Sequence, residues 1–263
     1  MYRRFIVGVL ILTFLALARQ AVGQNQPASD PQALAYAAQS IAALTGGTSI
    51  SDVTLMGSVT WTIGTDSETG AATLLALGPS ESRMDLTLPS GIRSEIRDAS
   101  TGTSQGSWKA QSGATGLSAL HNCMTDAAWF FPALGSLASQ PNVVLSYIGQ
   151  ETRNGGTVQH IQSYVYQPSV STTTPTSRQL SSVDFYLDAT TLLPVATVFN
   201  AHPDDDAGTN IPIEIDFGNY QNINGVNVPL HIQRYVQGTL MVELSISTVS
   251  LNTGLQLSTF AIN

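Results

Sequence analysis

The sequence predicts a mainly β protein with some helix (α+β). The expected architecture is a single antiparallel curved sheet, or half-barrel, of about 10–12 strands, closed by an N-terminal helix and a mid-chain apolar helix. Three observations predict it. Long stretches alternate apolar and polar residues with a period of two. Most such stretches are joined by short Gly, Pro, Ser or Asn turns, too short for parallel crossovers. Two apolar segments lack that alternation and are natural covers for the oily face of a sheet.

The first element is helical. In "DPQALAYAAQSIAAL", Asp30 is a plausible N-cap and Pro31 suits the first helical position. Ala and Leu favour the helix, and Gly46 and Gly47 stop it.

The period then switches. Val53, Leu55, Val59, Trp61 and Ile63 alternate with Thr54, Met56, Ser58, Thr60 and Thr62, as in a half-buried strand. Further strands are predicted near 71–77, 81–88, 91–98 and 104–110. Met84, Leu86 and Leu88 continue the one-face pattern, and so do Ile92 and Ile96. Residues 115–139 break it and read as helix, interrupted or kinked at Pro132. Strands resume near 143–152 and 156–166 around the turn "RNGG". "QPSVSTTTPTSRQ", 167–179, reads as a polar loop. The last strands are predicted near 181–188, 193–202, 211–220, 226–236 and 239–250. No fixed repeat and no second composition regime occurs, so residues 24–263 are expected to form one domain.

Residues 1–23 read as a signal peptide. Arg3 and Arg4 precede the apolar run Phe5 to Ala18, which Arg19 ends, and Ala21 and Gly23 place cleavage near Gln24. The expected location is therefore periplasmic or secreted. Removing Arg3, Arg4 and Arg19 leaves 7 basic and 18 acidic residues, a net charge of −11, with Lys109 the single lysine. That balance excludes binding to a nucleic-acid backbone, which needs clustered Lys and Arg. The lone Cys123 cannot form an intrachain disulfide and reads as a small core residue.

Several motifs bear on chemistry. "GTSQG", Gly102 to Gly106, has the spacing of a hydrolase elbow, but that motif needs a strand-to-helix turn over a parallel sheet. A hairpin turn fits better. "HPDDD", His202 to Asp206, could ligate a hard cation, yet such clusters also make solvated turns. His121, His160, His202 and His231 are scattered, with no metal-ligand spacing. No metal and no cofactor is expected.

The C-terminal third carries a more specific pattern. Tyr186, Leu187, Asp188, Thr191, Leu193 and Pro194 form a first element. Phe217, Tyr220, Asn224, Gly225, Val226 and Pro229 form a second, and Asn252 and Leu255 a third. With the helix, the "WK" after a hairpin and "FFPAL", this arrangement resembles the LolA-like superfamily of outer-membrane lipoprotein-sorting proteins. The resemblance implies an antiparallel half-barrel closed by helices around an apolar cavity that shelters acyl chains or another lipophile. It implies no enzymatic activity and no docking residue for a partner. Lipid or lipoprotein acyl chains are the expected ligands, with transient membrane-protein partners and a monomeric state.

Strand alternation then nominates the cavity residues. Val59, Trp61, Ile213, Ile215, Phe217, Leu230, Ile232, Leu244 and Ile246 should share the concave face, with Trp129, Phe130 and Phe131 contributed by the covering helix. The alternative readings are a packed structural envelope protein, a hydrolase with a dispersed site around His202 and Asp204 to Asp206, and a transmembrane barrel. The apolar helices and the lack of aromatic girdles disfavour the barrel.

Overall fold

The computed structural model describes residues 27–78, 81–98, 105–110, 112–118, 122, 142–167 and 177–261. They form helix α1 (Pro31–Thr45) and strands β1 (Asp52–Ile63), β2 (Asp66–Leu77), β3 (Glu81–Leu88), β4 (Gly91–Asp98), β5 (Gln105–Lys109) and β6 (Thr115–Ser118). After these come β7 (Val143–Arg153), β8 (Gly156–Val165), a short helix α2 (Ser177–Ser181), β9 (Val183–Asp188) and β10 (Pro194–Ala201). β11 (Ile211–Ile223), β12 (Val226–Val236), β13 (Thr239–Leu251) and a 3-10 turn (Leu257–Phe260) complete the described chain.

The strands make one antiparallel sheet of 13, ordered β6-β5-β4-β3-β2-β1-β13-β12-β11-β10-β9-β8-β7. Every neighbour pair but one is consecutive in sequence. The exception, β1 against β13, brings the first and last strands together and leaves β6 and β7 as the edges. The predicted open half-barrel is therefore the observed architecture.

Side chains show how the sheet curves. On the apolar face, Val59 lies opposite Leu244, Leu244 opposite Ile232, and Ile232 opposite Phe217. One row of buried side chains thus crosses four strands. Helix α1 covers the β7–β12 part of this face. Its start is pinned to β7: the Asp30 N–H donates to the Leu145 carbonyl at 2.8 Å, and the Leu145 N–H donates to Ser29 Oγ at 3.0 Å. Its end is pinned to β12, where Asn227 Nδ2 donates to the Ala43 carbonyl at 2.7 Å. Five strand spacings separate β7 from β12, roughly 24 Å, and a helix of this length spans about 22 Å. Ala33, Ala37 and Leu44 supply its buried stripe.

The caps follow the sequence. Asp30 accepts from the Gln32 N–H at 2.7 Å, and Gly46 ends the helix at φ 57° with its N–H on the Ala42 carbonyl. The three elements of the C-terminal pattern are turn and anchor bonds. Asp188 Oδ1 accepts from the N–H groups of Thr190 and Thr191 and from the Thr191 hydroxyl. The Tyr220 hydroxyl donates to the Pro194 carbonyl at 2.7 Å. Asn224 and Gly225, at φ 53° and 89°, make the β11–β12 hairpin. Asn252 accepts from the Ser51 N–H and donates to the Ser49 carbonyl, tying the end of β13 to the entry of β1.

Four expectations need correction. Residues 115–118 are strand β6, paired with β5, not the start of a helix. Residues 177–181 are helical, because the Ser181 hydroxyl turns back onto the Ser177 carbonyl and also receives the Val165 N–H. β2 begins at Asp66, well before 71, because a two-residue turn lets it pair with all of β1. The polarity of β4 is reversed. Met84, Leu86 and Leu88 lie opposite Glu95, Arg93 and Gly91, so Ile92 and Ile96 face outward. The outer side of β3 and β4 is covered by the C-terminal 3-10 turn, with Phe260 fully buried and Arg83 donating to the Thr259 carbonyl.

The signal-peptide segment, Gly102 to Ser104, His121, Cys123 and the expected mid-chain helix with Trp129, Phe130 and Phe131 lie outside the described residues. Gln105 to Lys109 form β5 between two antiparallel neighbours, as a hairpin reading of "GTSQG" requires. No helix among the described residues is long and apolar enough to cross a membrane.

Candidate functional site

The inner face changes character along the strands. Its middle is oily and closed: Val59, Leu244, Ile232 and Phe217 are buried, as are Ile213, Ile215 and Ile246. Trp61 and Leu230 are half-buried against the same cluster. The pairing register puts all nine of these residues on one face.

Toward the end that carries the β1–β2, β3–β4 and β12–β13 hairpins, the face becomes aromatic and charged. Trp61 lies opposite Val242, and Val242 opposite Arg234. From the other arm of the sheet, β4 presents Arg93 and Glu95, and β5 presents Trp108 opposite Glu95. Arg93 stacks its guanidinium 3.6 Å from the centre of the Trp61 ring. Such stacks contribute roughly 0.5–1 kcal/mol where water still reaches them. Gly116 lies flat beneath the Trp108 indole, so a Cβ there would come within 2.7 Å of the ring.

Arg234 and Glu95 meet across the hollow. Nη1 and Nη2 of Arg234 donate to the two Glu95 oxygens at 2.8 and 3.0 Å. Their strands are five steps apart in the sheet, about 24 Å along a flat surface, further than two side chains can reach. The contact therefore requires the sheet to curl with this face inward. Glu95 keeps 52% of its side-chain surface accessible, so the pair stands open to water where the two arms of the sheet meet. Dehydration pushes the Glu95 carboxyl up, but the charge and hydrogen bonds of Arg234 and the charge of Arg93 outweigh it, and its pKa ends below the ordinary value. Burial lowers the Arg93 pKa, opposed by Glu68 and Glu95. Glu68, beside Arg93, also holds the β3–β4 turn by accepting from the Ser90 N–H and hydroxyl.

Sequence reasoning missed Arg93, Glu95, Trp108 and Arg234. The available signal was the strict alternation of Arg93, Glu95 and Arg97 along β4. It shows that the charges share a face, but only pairing with β3 shows that this face is the inner one.

The outer face carries a separate network. His160 lies between Glu151 at 3.0 Å and Asp184 at 2.8 Å, with its ring against Tyr186. Arg153 stacks on Tyr186 and pairs with Glu214. Asp216, beside Glu214, is pushed up to about 6. His231 pairs with Glu243 at 2.9 Å and is partly exposed, as its polar-face position predicts.

The "HPDDD" segment is a structural turn. His202 is buried, its Nδ1 lies 2.9 Å from the Thr209 carbonyl, and its backbone N–H and carbonyl are both bonded to Asn122. Asp206 accepts from the Gly208 N–H and the Thr209 hydroxyl, which hold its pKa low. Asp204 and Asp205 face solvent. Among the described residues no group of three His, Cys, Asp or Glu side chains could hold a metal ion.

Neither the family models nor the curated proteins match this sequence. Solved structures do match its fold. An outer-membrane lipoprotein-sorting protein domain from Vibrio parahaemolyticus aligns over 87% of this chain and 96% of its own, at a TM-score of 0.57 and 15% identity. A LolA superfamily protein from Nitrosomonas europaea aligns over 88% and 97%, at 0.54 and 13% identity. A DUF1329 family protein from Desulfovibrio piger aligns over 89% and 98%, at 0.55 and 10% identity. With the half-barrel, the helix across it and the hairpin pattern, these similarities give the chain a LolA-like fold.

Proposed function

We propose that this chain is an exported, periplasmic carrier-type binding protein. After loss of residues 1–23, residues 24–263 fold as one domain that shelters an acyl chain of a lipid or lipoprotein on the inner face. The observation that carries this reading is the Arg234–Glu95 contact between strands five steps apart, which curls a largely apolar face inward. Similarity to a lipoprotein-sorting domain supports it. So does energetics: each CH₂ moved from water onto such a face contributes about 0.8 kcal/mol, enough to hold a long chain without a polar contact. The charged end would then lie beside the head of the ligand, and Val59, Leu230, Ile232, Leu244 and Phe217 nearer its tail.

The test is direct. The protein is purified from its native compartment without detergent, its N-terminus is sequenced, and its organic extract is analysed by mass spectrometry. The expected result is a chain beginning near Gln24 with a stoichiometric acyl-bearing molecule. A chain that retains Met1 in the membrane pellet would overturn the location. An empty extract, with no uptake of added lipid, would overturn the carrier function.

A further inference from the structure

Within the carrier reading, on which this inference rests, we propose that the ligand is an anionic amphiphile, with a carboxylate or phosphate head that Arg234 and Arg93 bind by displacing the resident carboxylate of Glu95. Three observations carry it. First, Arg234 holds Glu95 through a two-bond fork, the geometry with which a guanidinium binds any carboxylate or phosphate. Second, the two arginines come from opposite arms of the curved sheet. Arg234 lies two residues before the end of β12, and Arg93 two residues after the start of β4, at the same end of the face. An anion between them would touch both arms. Third, the Arg234–Glu95 pair is open to water: 27% of the Arg234 and 52% of the Glu95 side chain is accessible. Pairs of that exposure contribute little to stability, so exchange for a ligand anion costs little.

The surroundings fit a head-and-tail molecule. The ring of Trp61 backs the Arg93 guanidinium at 3.6 Å. One row further in, the face is Val59, Leu244, Ile232 and Phe217. A polar head at Arg234 therefore places a tail against apolar side chains. Glu95 in this arrangement is a built-in competitor that occupies the fork when no ligand is present.

The test uses dodecyl phosphate, dodecanol and inorganic phosphate, titrated calorimetrically into the mature protein and two variants. Dodecyl phosphate is expected to bind about tenfold more tightly than dodecanol, and inorganic phosphate much more weakly than either. Glu95→Gln removes the competitor and should raise the dodecyl phosphate to dodecanol affinity ratio roughly three- to tenfold; Arg234→Gln should lower it by a similar factor. The opposite signs support the proposal. A purely structural ion pair would make both variants shift the ratio alike or not at all, and that result overturns it while leaving the carrier reading intact. Inorganic phosphate binding as tightly as dodecyl phosphate would assign the fork to a free anion and also overturn it. Failure of both dodecyl probes to bind would overturn the carrier reading itself. Circular dichroism on each variant confirms that the fold is retained.

Discussion

Asp52, the first residue of β1, is bound to Thr253, two residues past the end of β13. Its Oδ1 accepts from the Thr253 N–H at 2.7 Å and from the Thr253 hydroxyl at 2.9 Å. Its Oδ2 accepts from the Gly254 N–H at 2.9 Å and the Ser51 hydroxyl at 3.0 Å. Burial pushes the carboxyl up, and these bonds outweigh it, so its pKa lies below the ordinary 3.8. Asp52→Asn should cost about 1–3 kcal/mol at neutral pH, because a donor replaces an acceptor facing N–H groups. A depressed pKa contributes stability that is present above the unfolded value and lost as pH falls through the folded one. The parent should therefore lose more stability than the variant below about pH 4. Urea melts at pH 7, 5 and 3 measure both effects.

Asp216 predicts the opposite slope. Burial, then the charge of Glu214 and the hydrogen bond they share, push it up to about 6, against the pull of Arg153. A raised carboxyl favours the folded state while protonated. That contribution is full below pH 3.8 and is lost as pH rises through about 6. Asp216→Asn should remove this slope and leave the variant more stable than the parent at pH 8, by about 1–2 kcal/mol after allowance for solvent screening. Thermal melts from pH 4 to 8 check it; parallel curves for parent and variant would contradict it.

Ile232 sits between Leu244 and Phe217 in the most closed row of the inner face and is 2% exposed. Ile232→Ala should cost about 2–5 kcal/mol through lost burial and a residual void. In the carrier reading, Ile232→Trp should block lipid uptake and leave the fold intact. A loss of roughly 1–3 kcal/mol by overpacking, with no lipid bound by the parent, would mark this row as packed core and contradict that reading.

Gly46 ends α1 in the left-handed region, at φ 57°, and a Cβ there would stand 2.4 Å from the Gly225 carbonyl oxygen. Gly46→Ala should cost about 1–2 kcal/mol for the conformation alone, with the backbone clash added to it. Gly47→Ala, at φ 83° with nothing within 4 Å, carries only the conformational part. The difference between the two melting temperatures isolates the contact between the helix end and the β11–β12 hairpin.

Local features are legible in the amino-acid sequence by itself. Asp30 and Gly46 bracket α1 because capping is a property of a few adjacent residues. Asn154-Gly155 and Asn224-Gly225 mark their hairpins because a positive φ at both turn positions restricts which residues fit. Long strands such as β1 and β11–β13 stand out because one of their faces is mainly apolar. β6 does not, because four residues, "TGLS", carry too little alternation to compete with the apolar run that follows.

Tertiary structure decided which way each strand faces and who meets across the hollow. In β4, two isoleucines alternate with arginine and glutamate, and the sequence supports either orientation. Pairing of Met84 with Glu95 sends the charges inward, while the C-terminal turn packs against the outer side of β3 and β4. The fork between Arg234 and Glu95 joins residues 139 positions apart, and it exists because the sheet curls. Alternation reports that side chains share a face. Only the register and curvature of the assembled sheet bring distant members of that face into contact, and here they gather the charged end of the candidate site.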